Sequence, residues 1–184
     1  MAAVRILPFT FIWFLFSAPA FADEALWALL KAGGQIVLVR HAVTTPGAGD
    51  PPGFELQDCA TQRNLAEEGR AHARRIGAEF RQRGIPVGRV LSSPWCRCME
   101  TAKLAFGKGR ADDSLGNLFG RPENRDRQVE QMKKLLVREQ ANLVLVSHGS
   151  TIVALTGVSP APGEAVVVTP ENRGFRVAGR LRVD

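Results

Sequence analysis

The sequence predicts a three-layer α/β domain built on a mainly parallel sheet. Short, nearly continuous apolar runs (QIVLVR at 35–40, VL at 90–91, NLVLVS at 142–147) are separated by longer charged segments whose apolar residues recur at helical spacing. Continuous apolar strands suit a sheet covered on both faces, and strands alternating with helices imply parallel crossover units. The chain has 184 residues, 45% of them apolar, enough for the core of one domain.

Each element has its own signal. The first strand, 35–40, follows a Gly33-Gly34 break; because the glycines precede the strand, they read as a turn and not as a dinucleotide loop. Leu65, Ala73, Ile76 and Phe80 mark a helix over 65–83, and Gly84 follows as a stop. The second strand, around Val90 and Leu91, ends at Ser92-Ser93-Pro94, after which 96–106 reads as helix. Val129, Met132, Leu135 and Leu136 place another amphipathic helix over 127–140. The strand at 142–147 precedes a helix opening near Thr151, and 165–169 with 175–183 are strands closing the chain, a hairpin or a sheet edge. The stretches 47–53 (GAGDPPG) and 107–125 are flexible connections too short to divide two domains.

The N-terminus reads as a signal peptide over residues 1–22. Arg5 precedes an apolar run from Ile6 to Phe16, and Ala20-Phe21-Ala22 supplies a cleavage site of small residues. The run is shorter than the roughly 20 residues that cross a bilayer, so no stable span is expected after cleavage. The mature domain would be residues 23–184, periplasmic or secreted, with the net charge lowered from +6 to +5 by loss of Arg5. Export permits a disulfide, from Cys59 to Cys96 or to Cys98, with one thiol left over. Cys-x-Cys lacks the usual zinc spacing and no metal site is expected.

A basic balance fits nucleic acid, an anionic surface or a small anion. Arg70, Arg74, Arg75, Arg81 and Arg83 alternate with Glu67, Glu68 and Glu79, which reads as a solvated helix face, so no nucleic-acid partner is expected. Chemistry in such a sheet gathers at the carboxyl ends of its strands. His41 follows the first strand, His148 follows the strand at 142–147, and Arg97 lies just beyond the second; His72, inside a charged helix, reads as a partly solvated residue. Parallel strands side by side would bring His41, His148, Arg40 and Arg97 into one cleft suited to a phosphoryl group. A neutral imidazole is a competent nucleophile toward phosphorus, and guanidiniums match phosphate oxygens bidentately. Such transfer needs no metal or other cofactor, and neither a Walker sequence nor a serine elbow around Ser92, Ser93 or Ser150 is present.

The blocks Val39-Arg40-His41-Ala42, Arg63-Asn64-Leu65-Ala66-Glu67-Glu68-Gly69-Arg70-Ala71, Leu91-Ser92-Ser93-Pro94-Trp95-Cys96-Arg97-Cys98-Met99-Glu100-Thr101-Ala102 and Val146-Ser147-His148-Gly149 resemble, in order, the signature blocks of the histidine phosphatase superfamily. The resemblance implies a phosphoglycerate mutase-like α/β/α sandwich. It also implies His41 as the nucleophile that becomes phosphohistidine, Arg40 and Arg97 as phosphoryl holders, and His148 as completing the pocket. Thr45 and Arg63 fall near positions that hold phosphate or substrate. The expected activity is hydrolysis of phosphomonoesters on a small phosphorylated substrate or an envelope sugar phosphate.

The sequence also departs from the family. Ala42 replaces a glycine after the nucleophile, and the glutamate that serves as proton donor in the mutase branch has no counterpart in 114–120 (SLGNLFG). Asp58 and Glu123 are loop acids that could reach in, though either fits a solvated role. A missing acid is tolerable when the leaving group is good. The alternatives are therefore a phosphatase for phosphohistidine or acyl phosphates, or a phosphate-binding protein of the same fold that has lost turnover.

Overall fold

The computed structural model of the protein describes residues 19–172 and 174–183. The expected signal segment, 1–22, lies outside the described residues except for the backbone of its last four, which open the first helix. That helix, α1 (Pro19–Lys31), ends at Gly33 and Gly34, whose φ values of 78° and 73° are left-handed and favour glycine. There follow β1 (Ile36–Arg40), α2 (Glu67–Gln82), β2 (Val87–Ser92), α3 (Cys96–Phe106), β3 (Arg110–Ala111), α4 (Arg125–Lys133), β4 (Asn142–Ser147), α5 (Gly149–Thr156), β5 (Ala165–Glu171) and β6 (Gly174–Leu181). Among the described residues no helix is long and apolar enough to cross a membrane.

The six strands form one mixed sheet in the order β3-β2-β4-β1-β5-β6. The pairs β2–β3, β2–β4 and β1–β4 are parallel; β1–β5 and β5–β6 are antiparallel, so the last two strands form the hairpin at the sheet edge. The apolar strands divide their side chains between two cores, as period-two alternation requires. Val37, Val39, Val144 and Val146 face Leu26, Trp27 and Leu30 of α1, Ile76 and Phe80 of α2, and Ala102 and Ala105 of α3. Ile36, Leu38, Leu143 and Leu145 face Met132 of α4, Leu136 just beyond it, and Ile152 and Leu155 of α5. That division is the three-layer sandwich.

Two expectations need correction. The helix expected over 127–140 is α4 and stops at Lys133: the chain tightens into turns in which Leu135 N–H donates to Met132 O and Leu136 N–H to Lys133 O. Leu136 is thereby buried, and the charged residues that follow pair away from any helix axis, Glu139 with Arg89 and Arg138 with Pro170 O. The stretch 107–125 is not wholly irregular; it adds β3 beside β2 and two short 3₁₀ turns, Asp113–Leu115 and Pro122–Asn124.

Candidate active site

Register places the site. Arg40 of β1 lies opposite Ser147 of β4, and Ser92 of β2 lies opposite Val146, so the carboxyl ends of three parallel strands meet at one edge. The next residue of each, His41, His148 and Ser93, projects beyond the ladder. Backbone bonds continue the pairing there, His41 N–H to Ser147 O at 2.9 Å and Ser93 N–H to Val146 O at 2.8 Å. A cleft of 380 Å³ opens on this edge, bordered by Arg40, His41, Arg63, Arg97 and His148, with Asn117, Phe119 and Ser150 among the other residues of its wall.

Hydrogen bonding assigns the imidazole tautomers. His41 Nδ1 is 2.9 Å from Ala42 O, and a carbonyl only accepts, so Nδ1 carries the proton and Nε2 keeps its lone pair. Burial, and secondarily the charges of Arg97, Arg40 and Arg63, push the His41 pKa down to about 3. His148 Nδ1 lies 3.5 Å from the Arg97 guanidinium, which only donates; its Nε2 therefore carries the proton, toward Ser93 Oγ at 2.8 Å. Burial, then His41 and the arginines, hold His148 well below its usual value.

The guanidiniums are built in rather than draped. Arg40 donates to Pro160 O at 2.9 Å and lies against the backbone of Gly149, while Arg63 donates to Gly47 O at 2.7 Å. The Nε atoms of Arg40, Arg63 and Arg97 are all buried with no protein partner. Three orphaned cationic donors around one cleft fit a tetrahedral oxyanion, because buried unpaired N–H groups are otherwise costly.

The sequence expectations are met unevenly in position. Arg40, His41, Arg63, Arg97 and His148 come together around the cleft. Thr45 does not: Thr44 bridges to Leu65 and Thr45 N–H donates to Asn64 O, a pairing that leaves Thr45 exposed and off the cleft wall. Asp58 is exposed and caps the turn at Cys59, its Oδ1 accepting from Ala60 N–H, and Glu123 is exposed and bonded to Asn124. Neither borders the cleft.

The residue that sequence reasoning missed is Asp50. It lies in the Gly-Pro loop read as flexible, yet its side chain is 4% exposed and pairs with Arg97, itself 1% exposed, at 2.6 Å. The only hint was its place between two segments that both deliver residues to the cleft, at His41 and Arg63. The cysteine question resolves as a Cys59–Cys96 disulfide with Cys98 free and buried. Burial pushes the Cys98 thiol up to about 12. His72 is half-buried on α2 and bonds Val183 O at 2.7 Å, away from the cleft. Among the described residues no group of three or more His, Cys, Asp or Glu side chains is gathered to hold a metal ion.

No curated protein matches the chain in sequence. Among solved structures, the protein histidine phosphatase SixA complexed with tungstate superposes with a TM-score of 0.54 at 15% identity, over 80% of this chain and 96% of the other. A mycobacterial glucosyl-3-phosphoglycerate phosphatase, solved with VO3, gives 0.58 at 18% identity over 78% and 96%. A Thermus thermophilus protein gives 0.51 at 22% identity over 78% and 98%. Residues 36–114, which span the first three sequence blocks, match the family model of the histidine phosphatase superfamily (branch 1). Over those residues the chain is similar to the histidine phosphatase superfamily, and its fold is the one these solved structures share.

Proposed function

We propose that the protein is an exported phosphatase that hydrolyses small phosphomonoesters through a phosphohistidine on His41. The observation that carries this reading is the free Nε2 lone pair of a neutral His41 inside a ring of three guanidiniums with unpaired Nε–H groups. Attack of Nε2 on phosphorus forms the N–P bond as the bond to the leaving oxygen breaks; Arg40, Arg63 and Arg97 carry the charge on the phosphoryl oxygens. Water then attacks phosphorus, releasing inorganic phosphate and restoring neutral His41. The leader-like N-terminus and the Cys59–Cys96 disulfide support export, since disulfides persist in oxidising compartments. The phosphatase named in one structural neighbour acts on a phosphorylated sugar derivative, which supports a small phosphorylated substrate.

A second reading, a phosphatase for phosphohistidine or acyl phosphates, is favoured by one observation: among the described residues no carboxylate borders the cleft to protonate an alkoxide. The decisive test is acid-labile, base-stable phosphate on His41 after brief reaction with an aryl phosphate. The phosphatase reading expects that label together with turnover, both lost in His41→Ala; turnover persisting in that variant overturns it, and phosphate binding without turnover identifies a binding protein.

A further inference from the structure

The Asp50 carboxylate accepts four hydrogen bonds, from Arg97 Nη1 at 2.6 Å and Nη2 at 3.2 Å, Trp95 Nε1 at 3.0 Å and the Arg63 N–H at 3.1 Å. Burial alone would push its carboxyl up, but the bonds from Arg97, Arg63 and Trp95 outweigh burial and hold it below the usual carboxylate range. Asp50 is therefore an anion, and it does not border the cleft. It occupies the Nη1–Nη2 edge of Arg97 and leaves Nε without a partner. Arg40 and Arg63 also border the cleft, and among the described residues neither is ion-paired to a carboxylate.

Resting on the phosphatase reading above, we propose that Asp50 sets the charge of the phosphoryl site. Three guanidiniums and two neutral imidazoles would give the cleft three positive charges; Asp50 cancels one. The two that remain match a phosphomonoester dianion and hold its product loosely enough to leave. Asp50 thus acts through Arg97, as a positioning and charge-tuning residue that touches no substrate. Uncompensated, a third charge within several ångströms would tighten binding of the product dianion, because both lie in a partly water-excluded medium. Tight product binding slows turnover without helping the phosphoryl-transfer step.

The test is the affinity for inorganic phosphate, read by isothermal titration calorimetry so that it does not depend on turnover. Asp50→Asn is expected to bind phosphate about ten-fold more tightly than the wild type, by one added unit of positive charge. Asp50→Glu, which keeps the charge, is expected to bind within a few-fold of the wild type. Because Asp50→Asn leaves Arg97 buried and unpaired, it can fold poorly. The second comparison removes both charges: Arg97→Gln exposes the site to an unpaired Asp50 and should bind phosphate far more weakly than Arg40→Gln, and adding Asp50→Asn to Arg97→Gln should recover about ten-fold. A purely structural Asp50 gives the opposite sign in the single variant, where its loss frees the Arg97 guanidinium and weakens phosphate binding. Phosphate binding that is weaker or unchanged in Asp50→Asn, or no tighter in the double variant than in Arg97→Gln, overturns the proposal. Phosphate binding of the expected sign without phosphohistidine or turnover would leave the charge role standing and remove the phosphatase reading instead.

Discussion

The rings of His41 and His148 meet edge to face with centroids 5.3 Å apart, both neutral and both enclosed by protein. Two imidazoles at that distance among three guanidiniums cannot readily charge, and their neutrality ties stability to pH. A histidine with a depressed folded value binds its proton only in the unfolded state, so the native state loses ground as pH falls below the unfolded value near 6.5. For His41 the loss runs from about pH 6.5 to about pH 3. One such group costs about 1.4 kcal/mol per pH unit in that window, hence about 2 kcal/mol at pH 5. Asp50 and Glu164, both lowered, add losses of the same sign at lower pH. Denaturant midpoints should therefore drop steadily from pH 7 to pH 4, and His41→Gln should flatten part of the slope. A midpoint flat between pH 7 and 5, or ring resonances of His41 titrating near 6.5, would contradict this account.

The Cys59–Cys96 disulfide fastens the loop that carries Asp50 and Arg63 to the first residue of α3, one position before Arg97. A cross-link closing a separation of 37 residues is expected to contribute about 3–4 kcal/mol in the chain-entropy description. Cys59→Ser with Cys96→Ser should lower the thermal midpoint by several degrees and raise KM more than it lowers kcat, because the loop it releases brings Arg63 to the cleft and does not hold His41. Alkylation of the native protein under oxidising conditions should leave Cys98 unmodified until unfolding, given its burial and raised thiol value. Equal KM in the double serine variant would show that the loop holds its place without the bridge.

The legibility of the site in the sequence follows from how each residue reaches it. His41, His148 and Arg97 were readable because they sit at or just past the ends of apolar runs, and a parallel sheet brings such ends together. Asp50 was not, because its burial comes from a loop folding back onto Arg97 and Trp95, a long-range contact that leaves no period in the sequence. Thr45 rested on the resemblance alone, and a matching position along the chain does not aim a side chain: the bridge at Thr44 turns Thr45 away from the cleft wall. Val129, Met132, Leu135 and Leu136 kept helical spacing past the true end of α4, because a tightening turn preserves the burial of Leu136 without preserving the helix.

Gly149 explains the small residue after His148. A Cβ there would lie 3.3 Å from Cζ, Nε and Nη1 of Arg40, against the guanidinium itself, so the guanidinium would have to shift by a few tenths of an ångström. Gly149→Ala is expected to lower kcat/KM about ten-fold, a modest share of the loss that a full ångström of misplacement causes. Its thermal midpoint should stay near that of the wild type, because the φ at this position is one any residue adopts and the residue opens α5. An unchanged kcat/KM would mean that Arg40 has slack it does not need.

The groups around the leaving oxygen predict a steep dependence on leaving-group chemistry. The segment in which the mutase branch carries its glutamate instead presents Asn117 and Phe119 to the cleft, with Ser150 Oγ donating to Asn117 Oδ1 at 2.9 Å and Phe119 63% exposed. None of these can deliver a proton to an alkoxide as a carboxylic acid does, and general acid catalysis is worth about 10²–10⁴ in rate. Across a series of phosphate esters, kcat/KM should fall by about that much from a nitrophenyl to a simple alkyl ester. The comparison belongs on kcat/KM, which in the proposed mechanism reports formation of the phosphohistidine, since hydrolysis of that intermediate would be common to every substrate. Introducing a carboxylate by Asn117→Glu should narrow the gap by accelerating alkyl esters while leaving nitrophenyl phosphate nearly unchanged. Alkyl and aryl esters reacting at similar kcat/KM in the unaltered protein would mean that a proton reaches the leaving oxygen by another route, through water or through His148.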